Sequence, residues 1–101
     1  MKLVDLKPEF VRFLPELVTE RMHKREAVAT LAEAQGIRFR CPTRDNYVIC
    51  IPFRDRGAPT DENGGIQWSV SGADFSNLTL TPSVNSRPWH GFITNGEVTS
   101  C

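Results

Sequence analysis

Trp89-His90-Gly91-Phe92-Ile93-Thr94-Asn95-Gly96-Glu97-Val98 reads as a β-hairpin. Asn95-Gly96 separates two runs of aromatic and β-branched residues. Asn and Gly tolerate the positive φ angles of a two-residue type I′ turn, and that turn sets the register of the strands on either side. Alternation along the first strand puts Trp89, Gly91 and Ile93 on one face and His90, Phe92 and Thr94 on the other. Both faces carry large apolar groups. One is expected to pack inside the protein, and the other to be covered by a loop, a partner or a second copy. Trp89, Phe92 and Trp68 are expected at the structural centre.

The β signal continues upstream from this hairpin. Leu78-Thr79-Leu80 reads as a short strand ended by Pro82, with a turn over Asn85–Pro88. Ile66 to Ser71 alternates around Trp68 and Val70. Tyr47 to Phe53 is almost continuously apolar and reads as a central strand. It is joined by a Pro42–Asn46 turn to the alternating strand Ile37-Arg38-Phe39-Arg40. The loop from Arg54 to Gly65 is long for a small domain, the kind that is often functional or mobile.

Residues 1–36 read differently. Phe10, Phe13, Leu14 and Leu17 share one side of a helical wheel, with Pro8 at a first helical position and Pro15 as a break. His23 to Gln35 is rich in Ala, Glu, Lys and Arg, all good helix formers, and Gly36 stands as a C-terminal stop. The expected architecture is α+β, with N-terminal helices packed on a small antiparallel β-sheet that ends in the Asn-Gly hairpin. It forms one domain over 1–101, helical over 1–36 and β over 37–101.

Lys+Arg and Asp+Glu balance at 12 each. That argues against a general nucleic-acid clamp, which carries excess basic surface. No apolar run approaches the length of a membrane span, and the N-terminus lacks a secretory signal. A cytoplasmic location in a host cell is expected. Three cysteines at irregular spacing, Cys41, Cys50 and Cys101, read as free thiols.

Several motifs carry a resemblance when taken together. They are Ala34-Gln35-Gly36-Ile37-Arg38-Phe39-Arg40-Cys41-Pro42 followed by Val48-Ile49-Cys50, Trp68-Ser69-Val70-Ser71-Gly72, Leu78-Thr79-Leu80-Thr81-Pro82-Ser83-Val84, and the final hairpin. In this order the chain resembles a family of small, uncharacterised phage and prophage proteins whose members are often mislabelled ammonia monooxygenases. The resemblance implies a family with no established activity. It also implies a metal-like set of cysteines and a histidine, from which this chain departs. Arg44 and its neighbours stand where a second cysteine is expected, Asn46-Tyr47 where a histidine is, and Arg87-Pro88 before Trp89. Cys41 and His90 alone do not make a four-ligand zinc site, so no cofactor and no metal is expected.

His90 can act as a general base near neutral pH if a carboxylate orients it, with Asp45, Asp74 and Glu97 as candidates. A hydrogen-bonded sheet histidine is the favoured reading. Thr79, Thr81 and Ser83 alternate and can present hydroxyls to a ligand, or simply face solvent. Arg38, Arg40, Arg44 and Arg87, with Tyr47, Trp89 and His90, form the candidate binding surface, with Arg54 and Arg56 nearby. No nucleophile elbow or phosphate loop is present. The chain is therefore read as a phage- or prophage-encoded accessory protein, not an enzyme, that binds a host or phage protein, for example as an inhibitor of a host defence system. A homodimer is a further option. The alternatives are a nucleic-acid-binding module with an Arg/aromatic face, and a degenerate zinc-ribbon-like protein or small hydrolase centred on His90.

Overall fold

A computed structural model of the chain describes residues 1–86 and 88–101. It is an all-β sandwich, which overturns the α+β expectation. The strands are β1 (Glu9–Thr19), β2 (Met22–Val28), β3 (Gly36–Arg40), β4 (Val48–Pro52), β5 (Ser69–Ser71), β6 (Thr79–Ser86), β7 (Trp89–Thr94) and β8 (Glu97–Ser100). One antiparallel sheet has the order β2-β1-β3-β4, and the other β5-β6-β7-β8. The only helical pieces among the described residues are short 3-10 turns, at Leu3–Leu6, Leu31–Glu33 and Glu62–Gly65. No helix among them is long and apolar enough to cross a membrane.

The segment expected to be helical is a long hairpin. Phe10 pairs with Val28, Val11 with Ala27, Arg12 with Glu26 and Phe13 with Arg25. These pairs are chemically matched. Arg12 and Glu26 form an ion pair, and the Arg25 guanidinium lies over the Phe13 ring at 5.5 Å. Pro15 falls where the register slips between Phe13 and Leu17, so its missing N–H interrupts no regular ladder. Helix propensities differ by under about 0.7 kcal/mol per ordinary residue, so pairing and burial override them easily. Gly36 opens β3 rather than stopping a helix.

The first half of β1 is buried on both faces. Phe10 joins Ile37, Phe39, Ile49 and Ile51 in the core between the sheets, with Leu80, Val84, Trp89 and Ile93 from the second sheet and Trp68 and Leu78 from just before its strands β5 and β6. Val11 and Phe13 point the other way and pack against Ala58 and Cys50. The long loop over 54–65 is thus the cover of the first sheet's outer face. Strand β4 lies at that sheet's edge, not in its centre as its apolar run suggests.

The loop is tied to the hairpin through His23. Its Nδ1 lies 2.7 Å from the Leu14 carbonyl oxygen and its Nε2 lies 2.7 Å from Asp61 Oδ1. Two acceptors on one ring call for two N–H groups, hence an imidazolium. Glu62 is buried and accepts the His23 backbone N–H at 2.7 Å and the Arg25 guanidinium at 3.2 Å. The hydrogen bond to Asp61 leads the causes that raise the His23 pKa above 6.5. The folded state then binds that proton more tightly than the unfolded chain. The stabilisation is complete below pH 6.5 and is lost as pH rises through the raised value. The same bond is the main cause lowering Asp61 below 3.8, so the Asp61 contribution is present above that value and lost as pH falls through the lowered one. Amide exchange over residues 14–23 should therefore speed up, beyond its intrinsic pH dependence, as pH climbs past the raised imidazolium pKa. His23→Gln should remove that excess.

The C-terminal hairpin forms as its residues dictate. Thr94 pairs with Glu97, and Asn95 and Gly96 have φ of 49° and 76°, the signs of a type I′ turn. Trp89, Gly91 and Ile93 face the core, but the covering layer is the opposite sheet, not helices. Phe92 is 47% exposed, so it does not join Trp89 and Trp68 at the centre. Strand β6 does not end at Pro82. It runs on to Ser86 through a register break between Leu80 and Val84 that contains the proline.

Candidate active site

The β6–β7 hairpin brings together a serine and a histidine that are seven residues apart. Val84 pairs with Gly91, Asn85 with His90 and Ser86 with Trp89. This register sends Val84 and Trp89 into the core and leaves His90 on the opposite face. Ser83 Oγ lies 3.0 Å from His90 Nε2. With its ring proton on Nδ1, His90 accepts the Ser83 hydroxyl hydrogen at Nε2, the pairing that activates a serine nucleophile. Ser83 sits inside the register break of β6, where the regular ladder is interrupted.

The Ser83 backbone is held from beneath. Trp68 is buried and its indole N–H donates to the Ser83 carbonyl oxygen at 3.1 Å. The Trp89 indole donates to Ser100 Oγ at 2.9 Å, which fixes the strand carrying His90 to β8. Gly91 belongs to the same fixture. A Cβ there would run into the Trp89 ring and the Thr99 carbonyl oxygen, so the missing side chain lets the indole lie over the strand. Buried indoles need such hydrogen-bond partners, and here one partner is the Ser83 backbone and the other lies on β8, beside the strand that carries His90.

Other nucleophiles and bases among the described residues are engaged elsewhere or misplaced. His23 is locked between Leu14 and Asp61. Cys50 faces the secondary core, where burial pushes its thiol pKa up to about 11, so it stays protonated at neutral pH. Cys41 is buried and contacts Thr43 at 3.5 Å. Cys101 is exposed, and its backbone N–H donates to the His90 carbonyl oxygen at 3.0 Å. None of the carboxylates Asp45, Asp74 and Glu97 hydrogen-bonds to His90 among the described residues. Asp74 caps Ser76, and Glu97 pairs with the chain's amino terminus at 3.1 Å.

The described members of the expected binding surface are divided between the two sheets. Arg38 pairs with Glu9 at 2.8 Å and, with Arg40, borders an open groove of about 790 Å³ on the first sheet. Arg44 and Tyr47 are exposed in the turn between β3 and β4. Arg54 and Arg56 donate to backbone carbonyls of Gln67 and Leu31. Trp89 is 3% exposed and belongs to the core, which removes it from any surface. Arg87 lies outside the described residues. His90 is exposed, but on the second sheet.

Sequence alone pointed to His90 and to the hydroxyl series containing Ser83, but not to their partnership. The signal was faint. Alternation puts Ser83 and Asn85 on one face, and a tight turn before Trp89 would fold His90 back onto that face. Reading Asn85–Pro88 as the turn obscured this, because β6 extends two residues into it.

No group of three or more His, Cys, Asp or Glu residues suited to a metal ion occurs among the described residues. Chelator treatment is expected to leave the melting curve unchanged. About one zinc per chain by elemental analysis, with melting on chelation, would contradict this.

A search of curated proteins finds no match, and neither does a search of solved structures. A family model does match residues 10–101, and its description is bacterial ubiquitination-like system serine protease (BubE). A family of proteases overturns the expectation that this chain is not an enzyme. That expectation rested on the lack of a sequence motif for catalysis, whereas the serine–histidine pair arises from strand register. The match spans nearly the whole chain, dyad included, and the chain belongs to the BubE family.

Proposed function

We propose that this protein is a serine hydrolase of a bacterial ubiquitination-like system, with Ser83 as nucleophile and His90 as general base. The observation that carries the reading is the 3.0 Å contact between Ser83 Oγ and His90 Nε2 on a solvent-facing strand pair. The family description supports both the serine chemistry and the setting.

In the proposed reaction His90 Nε2 takes the hydroxyl proton as Ser83 Oγ attacks the carbonyl carbon of a peptide or ester bond. The imidazolium then gives that proton to the departing amine or alcohol, which leaves an acyl-serine. Water attacks the acyl group as His90 accepts its proton, the acyl–Oγ bond breaks, and the imidazolium returns the proton to Ser83 Oγ, which releases the carboxylic acid and restores the serine. The Trp68 indole positions Ser83 through its carbonyl and touches no reacting atom.

A fluorophosphonate probe tests the assignment. It should label the wild-type chain on Ser83, as read by peptide mass mapping. Labelling should disappear in Ser83→Ala and fall steeply in His90→Gln, while Cys101→Ser labels normally. Labelling at another serine, or labelling that persists in His90→Gln, would remove the dyad from the mechanism.

A further inference from the structure

We propose that the free edge of β4 is the docking strand for the substrate, an extended polypeptide that adds to the sheet there and leads to Ser83. This rests on the hydrolase reading above. Tyr47 accepts the Cys41 N–H at 2.8 Å across the β3–β4 ladder. Hydrogen-bonding direction alternates along a strand, so Ile49 and Ile51 also bond to β3, while Val48, Cys50 and Pro52 turn their backbone groups outward. Pro52 is already partnered, because its carbonyl accepts the Trp68 N–H at 3.0 Å. Val48 and Cys50 have no such partner among the described residues. An edge of this kind is a template for another strand.

Its surroundings favour a substrate chain as the occupant. A cleft of about 260 Å³ is lined by residues 47–51 of this edge and, among others, by Asn85 and Ser86 at the end of β6. Asn85 stands directly opposite His90 in the β6–β7 ladder. Trp68, which closes the edge at Pro52, also holds the Ser83 carbonyl. The cleft therefore touches residues adjoining both members of the dyad. Ser86 lines this cleft, and its hydroxyl is buried and makes no hydrogen bond among the described residues. At the mouth, exposed Val48, Tyr47 and Met22 offer apolar surface to alternate side chains of a docked strand.

The test uses a pool of N-acetylated random hexapeptides as the probe and the non-hydrolysing Ser83→Ala chain. Amide hydrogen exchange at Val48 and Cys50 should slow when the pool is added. It should not slow with a pool N-methylated at every second residue. In the wild-type serine background, Val48→Pro removes one outward N–H at a strand start and none from the β3 ladder. It should lower kcat/KM for peptide cleavage about tenfold and leave fluorophosphonate labelling of Ser83 unchanged. Unchanged exchange at both amides, or equal protection by the methylated pool, overturns the docking strand. If the pool protects Val48 and Cys50 while no cleavage depends on Ser83, the docking strand holds as a peptide site and the hydrolase reading falls. If Ser83-dependent cleavage proceeds without that protection and survives Val48→Pro, the hydrolase reading stands alone.

Discussion

Replacing Ser83 with Ala is expected to abolish hydrolysis, with a loss of at least about a thousandfold in kcat and little change in melting temperature. The substitution removes one oxygen from a half-buried position on the outer face of β6. That oxygen's hydrogen-bond partner is His90, and the carbonyl that anchors the strand to Trp68 is kept. Stability and activity should thus separate cleanly. His90→Gln should cost a comparable factor, because each member of a nucleophile–base pair does little alone, and the double variant should be scarcely worse than either single one. Full activity in Ser83→Ala would move the chemistry to another residue and leave the Ser83–His90 contact as a surface hydrogen bond.

Replacing Gly96 with Val is expected to have the largest effect on stability. Gly96 has φ of 76°, a region that a β-branched residue enters only with strain. A Cβ at this position would also lie far inside van der Waals contact with the Ser76 carbonyl oxygen, which is backbone and cannot swing aside. Three segments meet here. The Gly96 N–H donates to the Leu78 carbonyl oxygen at 2.8 Å, the Gly96 carbonyl accepts from Leu3 at 2.9 Å, and the Asn95 N–H donates to Thr79 Oγ1 at 2.8 Å. Moving the turn would pull on β6 and on the buried Leu3 turn together. Strain and displaced contacts sum to about 3 kcal/mol or more. In a domain of this size that corresponds to a fall of about 12–24 °C in melting temperature. A thermal melt by circular dichroism checks it, and a Gly96→Val chain that melts like the parent would disprove the type I′ assignment and the register that follows from it.

The two variants probe features that differed in how far they could be read from the chain. Asn95-Gly96 is a local device. The backbone angles it needs are available to few residue types, so two letters between β-rich runs specify a turn, a register and the alternation of Trp89, His90, Gly91 and Phe92. The β3–β4 pair was legible for the same reason, since a short Pro- and Asn-containing turn joins two β-rich runs. Phe92 was misjudged because alternation says which residues share a face, not which face meets the other sheet.

Residues 10–28 were not legible locally. Phe10, Phe13, Leu14 and Leu17 satisfy helical spacing, and the alternation that would betray a strand is hidden because β1 buries Phe10 on one face and Val11 and Phe13 on the other. The choice is made by distant partners: β3 alongside, the second sheet beneath and the loop over 54–65 above. Each residue's preference for helix is worth tenths of a kcal/mol, while burying one large apolar side chain is worth about 1.5–3 kcal/mol. The dyad follows the same logic. Residue types put a histidine and a row of hydroxyls on the second sheet, but a difference of one residue in pairing would send His90 to the core and separate it from Ser83. The hairpin turn, the thiol count and the balanced charge are properties of the chain read in order. The β-sandwich, the buried faces of β1 and the meeting of Ser83 with His90 exist only once strands far apart in sequence have paired, because register is an energy shared between segments and belongs to neither one.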